Sequence, residues 1–174
     1  MRYKVNDLLG KAVINQTSGE RLAKVSDVVF AEDMQAAIAL LVSGGGLFSQ
    51  PLVIRWGAVQ SIGDVIVAQS AAAFPKLSDD TLISGLREQN TKISGTPLIG
   101  TGGQRAGTIT DTLINERGQV VGYEVDPGGL FIGRKFLPAA QVQKVGKDAL
   151  IATDITLQSL KDAAAEVGET PSEH

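Results

Sequence analysis

The sequence predicts an all-β protein made of two tandem copies of one small β-domain, with a short helix between the copies and another at the C-terminal end. Three observations predict it. Similar segments recur about 84 positions apart. Within each copy, five or six short runs of β-branched and aliphatic residues, with turn residues between them, fit into about 65 residues. Aromatic residues make up only 5% of the 174, so any core must be built mainly from Val, Ile, Leu and Ala.

The repeat is clearest around two aspartates. Gly19-Glu20-Arg21-Leu22-Ala23-Lys24-Val25-Ser26-Asp27-Val28-Val29-Phe30 corresponds to Gly103-Gln104-Arg105-Ala106-Gly107-Thr108-Ile109-Thr110-Asp111-Thr112-Leu113-Ile114. Gly45-Gly46-Leu47-Phe48 then recurs as Gly128-Gly129-Leu130-Phe131, one residue closer, and a turn absorbs such a change cheaply. Ile54-Arg55-Trp56-Gly57-Ala58-Val59 aligns with Leu137-Pro138-Ala139-Ala140-Gln141-Val142, and both copies close on a short apolar run, Val65-Ile66-Val67 and Ala149-Leu150-Ile151. Internal repetition of this kind marks a duplication.

In order along the chain, the runs from Val25 and from Ile38 to Val42 read as strands, with Asp33 in the turn between them. Leu77 to Glu88 reads as a short helix after Pro75. Ser78 is its expected N-cap, Asp79 and Asp80 suit its positive end, and Leu82 and Leu86 share one face. In the second copy Glu116-Arg117-Gly118-Gln119 marks a tight turn and Val120 to Val125 the return strand. Leu157 to Val167 reads as a helix with Leu157, Leu160 and Ala164 on one side, followed by a frayed end. The expected division is 1–74 for the first copy, 75–92 for the linker, 93–154 for the second copy and 155–174 for the tail. Short strands with no long crossovers point to a small barrel or sandwich, not to βαβ units.

The order of features in each copy resembles the PRC-barrel domain: a Gly-rich turn, a strand carrying the aspartate, a return strand, a Gly-Gly loop, a bulky apolar step and a last Val-rich strand. That family includes the cytoplasmic part of the photosynthetic reaction-centre H subunit and the C-terminal half of a ribosome maturation factor. The resemblance covers about Val5 to Ala68 and Thr96 to Ala152. It implies two small barrels acting as docking or assembly modules, with no shared catalytic centre.

Net charge is −3 and the pI about 5.2, with Lys and Arg scattered except for pairs such as Arg21 with Lys24 and Arg134 with Lys135. That is a poor footprint for phosphate binding, so nucleic acid is expected only through a ribosomal partner. There is no cysteine, which removes disulfides and thiolate metal sites. The polar start Met1-Arg2-Tyr3-Lys4-Val5-Asn6-Asp7 lacks a signal-peptide core, and no apolar run is long enough to span a bilayer. A cytoplasmic protein without direct membrane insertion is expected.

Chemistry is sparse. The one histidine, His174, is the final residue and poorly placed for a general base, so no catalytic residue, metal ligand or cofactor is expected. Asp27 and Asp111 have two readings: a paired acid or cation site, which would make a hydrolase, or local acceptors for backbone N–H groups. Their repetition within a fold motif favours the second. Gly100-Thr101-Gly102-Gly103-Gln104-Arg105-Ala106-Gly107 lacks the following Gly-Lys-Ser/Thr and the helix of a phosphate loop, and reads as a turn. Arg55, Arg105, Arg134 and Lys135 read as solvated surface.

The Gly-Gly-Leu-Phe loops are the better candidates. Leu47, Phe48, Leu130 and Phe131 either form partner-binding surfaces or fold back to plug their barrels, and thin cores favour the plug. Trp56 is expected in a core or between copies. The function expected is a non-catalytic adaptor or assembly module with an unidentified protein partner, or a further copy of itself. A ribosome or RNA-processing accessory is the alternative.

Overall fold

The computed structural model describes residues 1–43, 50–70 and 73–161. The chain opens with strand β1 (Arg2–Lys4) and a single helical turn, α1 (Val5–Leu8). The first copy continues as β2 (Ala12–Asn15), β3 (Arg21–Phe30), β4 (Ala37–Ser43), β5 (Leu52–Arg55), β6 (Val59–Ile62) and β7 (Ile66–Ala68), followed by helix α2 (Thr81–Gln89). The second copy gives β8 (Pro97–Gly100), β9 (Arg105–Asn115), β10 (Val120–Asp126), β11 (Lys135–Pro138), β12 (Val142–Val145) and β13 (Leu150–Ala152), with β14 (Gln158–Ser159) after it.

Two compact units result. One comprises Val5–Asn90 with Glu116–Gln119; the other comprises Met1–Lys4, Thr91–Asn115 and the chain from Val120 onward. The first unit's sheet runs β5-β4-β3-β2-β7-β6. The second unit's sheet runs β11-β10-β9-β8-β13-β12 in the same sense, with β14 added beside β11 and β1 beside β9. In each, one parallel contact (β2 with β7, β8 with β13) sits among antiparallel ones. The duplication read from the sequence is therefore a duplication of topology.

The first unit's strands are buried on both faces where they carry continuous apolar runs, as in Val28-Val29-Phe30 and Ala39-Leu40-Leu41-Val42. Helix α2 is one of the covers. Val29, Ala39, Leu41, Val53, Leu77 and Ile83 form a single apolar cluster, with Ile38 and Leu86 against it. In the second unit Leu113 and Phe136 cluster with Val121 and Leu160.

The helices differ in detail from the sequence expectation. Leu77–Asp79 is a 3₁₀ turn, so Ser78 is not the cap. Asp80 caps α2 instead, its Oδ1 accepting from the Ile83 N–H at 3.1 Å, and its carboxylate also takes a fork from Arg55 at 2.9 to 3.2 Å. The cap lies two residues later than expected, and the buried face differs as well. Ile83 is fully buried beside Leu86, while Leu82 is 56% exposed. The segment expected to be helical from Leu157 begins as β14, pairing with Lys135 and Phe136. Ala164 and the rest of that segment from 162 lie outside the described residues.

Replacing Ile83 with Ala should cost about 2–5 kcal/mol, the range for deleting a fully buried aliphatic side chain. Replacing Leu82 with Ser should change stability by no more than about 0.5 kcal/mol. Urea unfolding of the two variants checks the assignment, and equal losses would contradict the observed face of α2.

Candidate functional site

The two repeated aspartates lie at matching bulges. In the first unit Val25 faces Val42 and Asp27 faces Leu41, so Ser26 is the extra residue of β3. In the second, Ile109 faces Val125 and Asp111 faces Glu124, so Thr110 is the extra residue of β9. A bulge disturbs the ladder, and side chains repair it here. The Ser26 hydroxyl donates to the Leu41 carbonyl at 3.2 Å, and the single Thr110 hydroxyl proton is shared between the Glu124 carbonyl at 3.3 Å and Glu124 Oε1 at 2.8 Å. The next residue's N–H is taken by the aspartate: Val28 N–H donates to Asp27 Oδ1 and Thr112 N–H to Asp111 Oδ1, both at 2.8 Å. Asp27 Oδ2 also lies 3.4 Å from Arg87 Nε. The structure places Asp27 and Asp111 in separate compact units.

The sequence reading missed the hydroxyls beside these aspartates, although Ser26 and Thr110 stand at the same offset. It also missed Glu124. The carboxylate of Glu124 is nearly buried, with Lys4 Nζ at 2.5 Å and the Thr110 hydroxyl donating to Oε1 at 2.8 Å. Burial pushes this carboxyl up, but the Lys4 and Thr110 hydrogen bonds, with the charges of Lys4 and Arg134, hold it below the usual range. Beside it, burial pushes the Tyr123 hydroxyl up to about 12. The first-copy counterpart of Glu124 is Leu41, a member of the apolar cluster with α2. A leucine in one copy and a glutamate in the other was the available signal.

The loop from Pro127 to Arg134 joins β10 to β11. Its entry is a turn in which Gly128 N–H donates to Asp126 Oδ1 at 3.0 Å, with Gly128 and Gly129 at φ of 82° and 92°. The positive φ of Gly129 calls for glycine there, whereas a Cβ would meet only the movable end of the exposed Ile132 side chain, at 2.9 Å. Phe131 adopts φ 65°, a conformation that costs a non-glycine residue energy. Leu130 is 86% exposed, Phe131 103% and Ile132 53%. Phe131 therefore does not plug its barrel, contrary to the favoured sequence reading, and Ile132 joins Leu130 and Phe131 at the tip. Leu47 and Phe48 lie outside the described residues. At the exit, Arg134 pairs with Asp126 at 3.0 Å.

The remaining candidates have structural partners. Trp56 Nε1 donates to the Glu116 carbonyl at 3.0 Å, and a Cβ on Gly118 would stand 3.0 Å from its ring. The glycine run after β8 is a turn in which Gly103 N–H donates to the Gly100 carbonyl and Gly100 N–H to that of Gln104. Arg105 donates to Thr108 Oγ1 at 3.0 Å. Among the described residues no three His, Cys, Asp or Glu are grouped to hold a metal ion, and no helix is long and apolar enough to cross a membrane.

With the duplicated topology established, comparison with family models is decisive: the model of the PRC-barrel domain matches twice, over residues 1–74 and 88–158. The chain belongs to the PRC-barrel family. The two matches cover the two sheet repeats, and together they span most of the chain. No curated protein matches it significantly. The family membership carries the tandem barrel architecture, and within this chain the Lys4–Glu124 clasp belongs to the second PRC-barrel copy.

The clasp gives a pH signature. With Glu124 held low, the folded protein binds fewer protons than the unfolded chain near the ordinary glutamate value of about 4.3. Its contribution is present above that pH and is lost as pH falls through the depressed value. Lys4 is partly solvated, so Lys4→Gln should cost only about 0.5–1 kcal/mol at pH 7 and almost nothing at the acid extreme. Urea midpoints of both proteins across that range check it; a constant difference at every pH would contradict it.

Proposed function

We propose that this chain is a non-catalytic adaptor or assembly module that acts by surface contact, with Leu130, Phe131 and Ile132 as its contact point. One observation carries the reading. Three consecutive large apolar side chains stand in solvent on a loop whose backbone holds them there, including a strained phenylalanine with no packing of its own. Folding alone gives no reason for that arrangement, and exposed apolar groups of this kind mark contact sites. The non-catalytic part rests on the use made of the repeated carboxylates, each engaged by the backbone of its own bulge. The membership of the chain in a family of docking domains supports the same reading.

The full chain should sediment with larger material in a gently prepared lysate of its own cells. The double variant Leu130→Ser/Phe131→Ser should run at its own mass while keeping the wild-type urea midpoint to within about 0.5 kcal/mol, because the substituted side chains are exposed. Free sedimentation of both proteins, or equal association of both, would remove the loop from the function.

A further inference from the structure

The charges around the apolar tip narrow what it meets. In the second unit Asp126 faces Thr108, Val125 faces Lys135, and Lys135 faces Ser159. The β10–β11 loop, the start of β9 with Arg105, and the chain leading to Lys161 therefore leave the sheet at one end. Among the described residues, that end carries Arg105, Arg134, Lys135 and Lys161 against Asp126, which is paired with Arg134, and the exposed Asp154 beyond β13. The described residues there are net positive on a chain of net charge −3.

From this we infer that the tip docks on an anionic lipid bilayer, Leu130, Phe131 and Ile132 entering the headgroup boundary while the basic residues at the loop's base meet the lipid charges. The inference rests on the adaptor reading and specifies the surface that the adaptor engages. A protein partner of ordinary affinity needs roughly 800 Å² of shaped surface on each side, with a rim around its anchors. The tip offers three side chains, and that of Phe131 stands wholly in water. A bilayer needs no shape match: it takes apolar side chains at the boundary and rewards each nearby cation. The contact is peripheral and needs no spanning segment, which is why a search of the sequence for long apolar runs does not find it.

The test is co-sedimentation of the full chain with vesicles of phosphatidylcholine alone and with 30 mol% (roughly a biological anionic fraction) phosphatidylglycerol. Binding is expected on the anionic vesicles, falling about tenfold or more for Leu130→Ser/Phe131→Ser and about fivefold for Lys161→Gln, and weakening in high salt. Phe131→Trp, which keeps the apolar tip, should retain binding and shift its emission to the blue on the vesicles. No binding to anionic vesicles, or binding indifferent to the tip variant, overturns the inference. If loop-dependent association in lysate persists without vesicle binding, the contact is with a protein, and only the lipid assignment falls.

Discussion

The long strand of each copy has to serve two partners, and the bulge inside it makes that possible. Strand β3 pairs with β2 through its first residues and with β4 through the rest; β9 does the same with β8 and β10. A straight strand would carry its neighbours on in one sheet. An extra residue increases local twist and bends the strand, which is how a small sheet starts to curl toward closure. The bend leaves a carbonyl of the partner strand and an N–H of the bulged strand to satisfy, and both are buried or nearly so. The hydroxyl–aspartate pairs Ser26-Asp27 and Thr110-Asp111 satisfy them. An unpaired buried polar group costs about 1–3 kcal/mol, which explains why this pair of residue types appears in both copies.

Around that shared bend the copies have diverged. Opposite Asp27 the partner strand supplies Leu41, which belongs to the cluster that α2 covers; opposite Asp111 it supplies Glu124, which meets Lys4 of β1. A second bulge is common to both copies, placing Ile38 and Val121 as the extra residues of β4 and β10, and each packs against its own apolar cluster. Backbone geometry is what the duplication preserved. The side chains pointing away from the bend took on separate roles.

The sequence carried the architecture well because the repeat and the period-two apolar runs are local signals. The helix cap was placed two residues early: Ser78 and Asp80 are both good caps, and Asp80 also holds the Arg55 fork, a contact 25 positions away. The same is true of Glu124, whose environment is set by Lys4 at the far end of the chain. The plug reading of Phe131 failed for a different reason. It assumed that a thin core would recruit every aromatic side chain, yet Phe136, Tyr123 and a set of fully buried aliphatic residues fill the second unit without it. Leu130 and Phe131 were legible as candidates from the glycines beside them; their outward direction came from the φ values of Gly128, Gly129 and Phe131.

The place of β1 bears on how the molecule is made. Arg2 faces Asn115 across an antiparallel ladder, so β1 is held only once a strand more than a hundred residues further along the chain has formed. Until then Leu113 and Ile114 have no strand beside them on that edge, and Lys4 has no Glu124. Closing so long a stretch of chain is entropically slow, and the ladder it closes is only three residues long. Among the strand pairs of the second sheet, that of β1 with β9 therefore closes the longest stretch of chain.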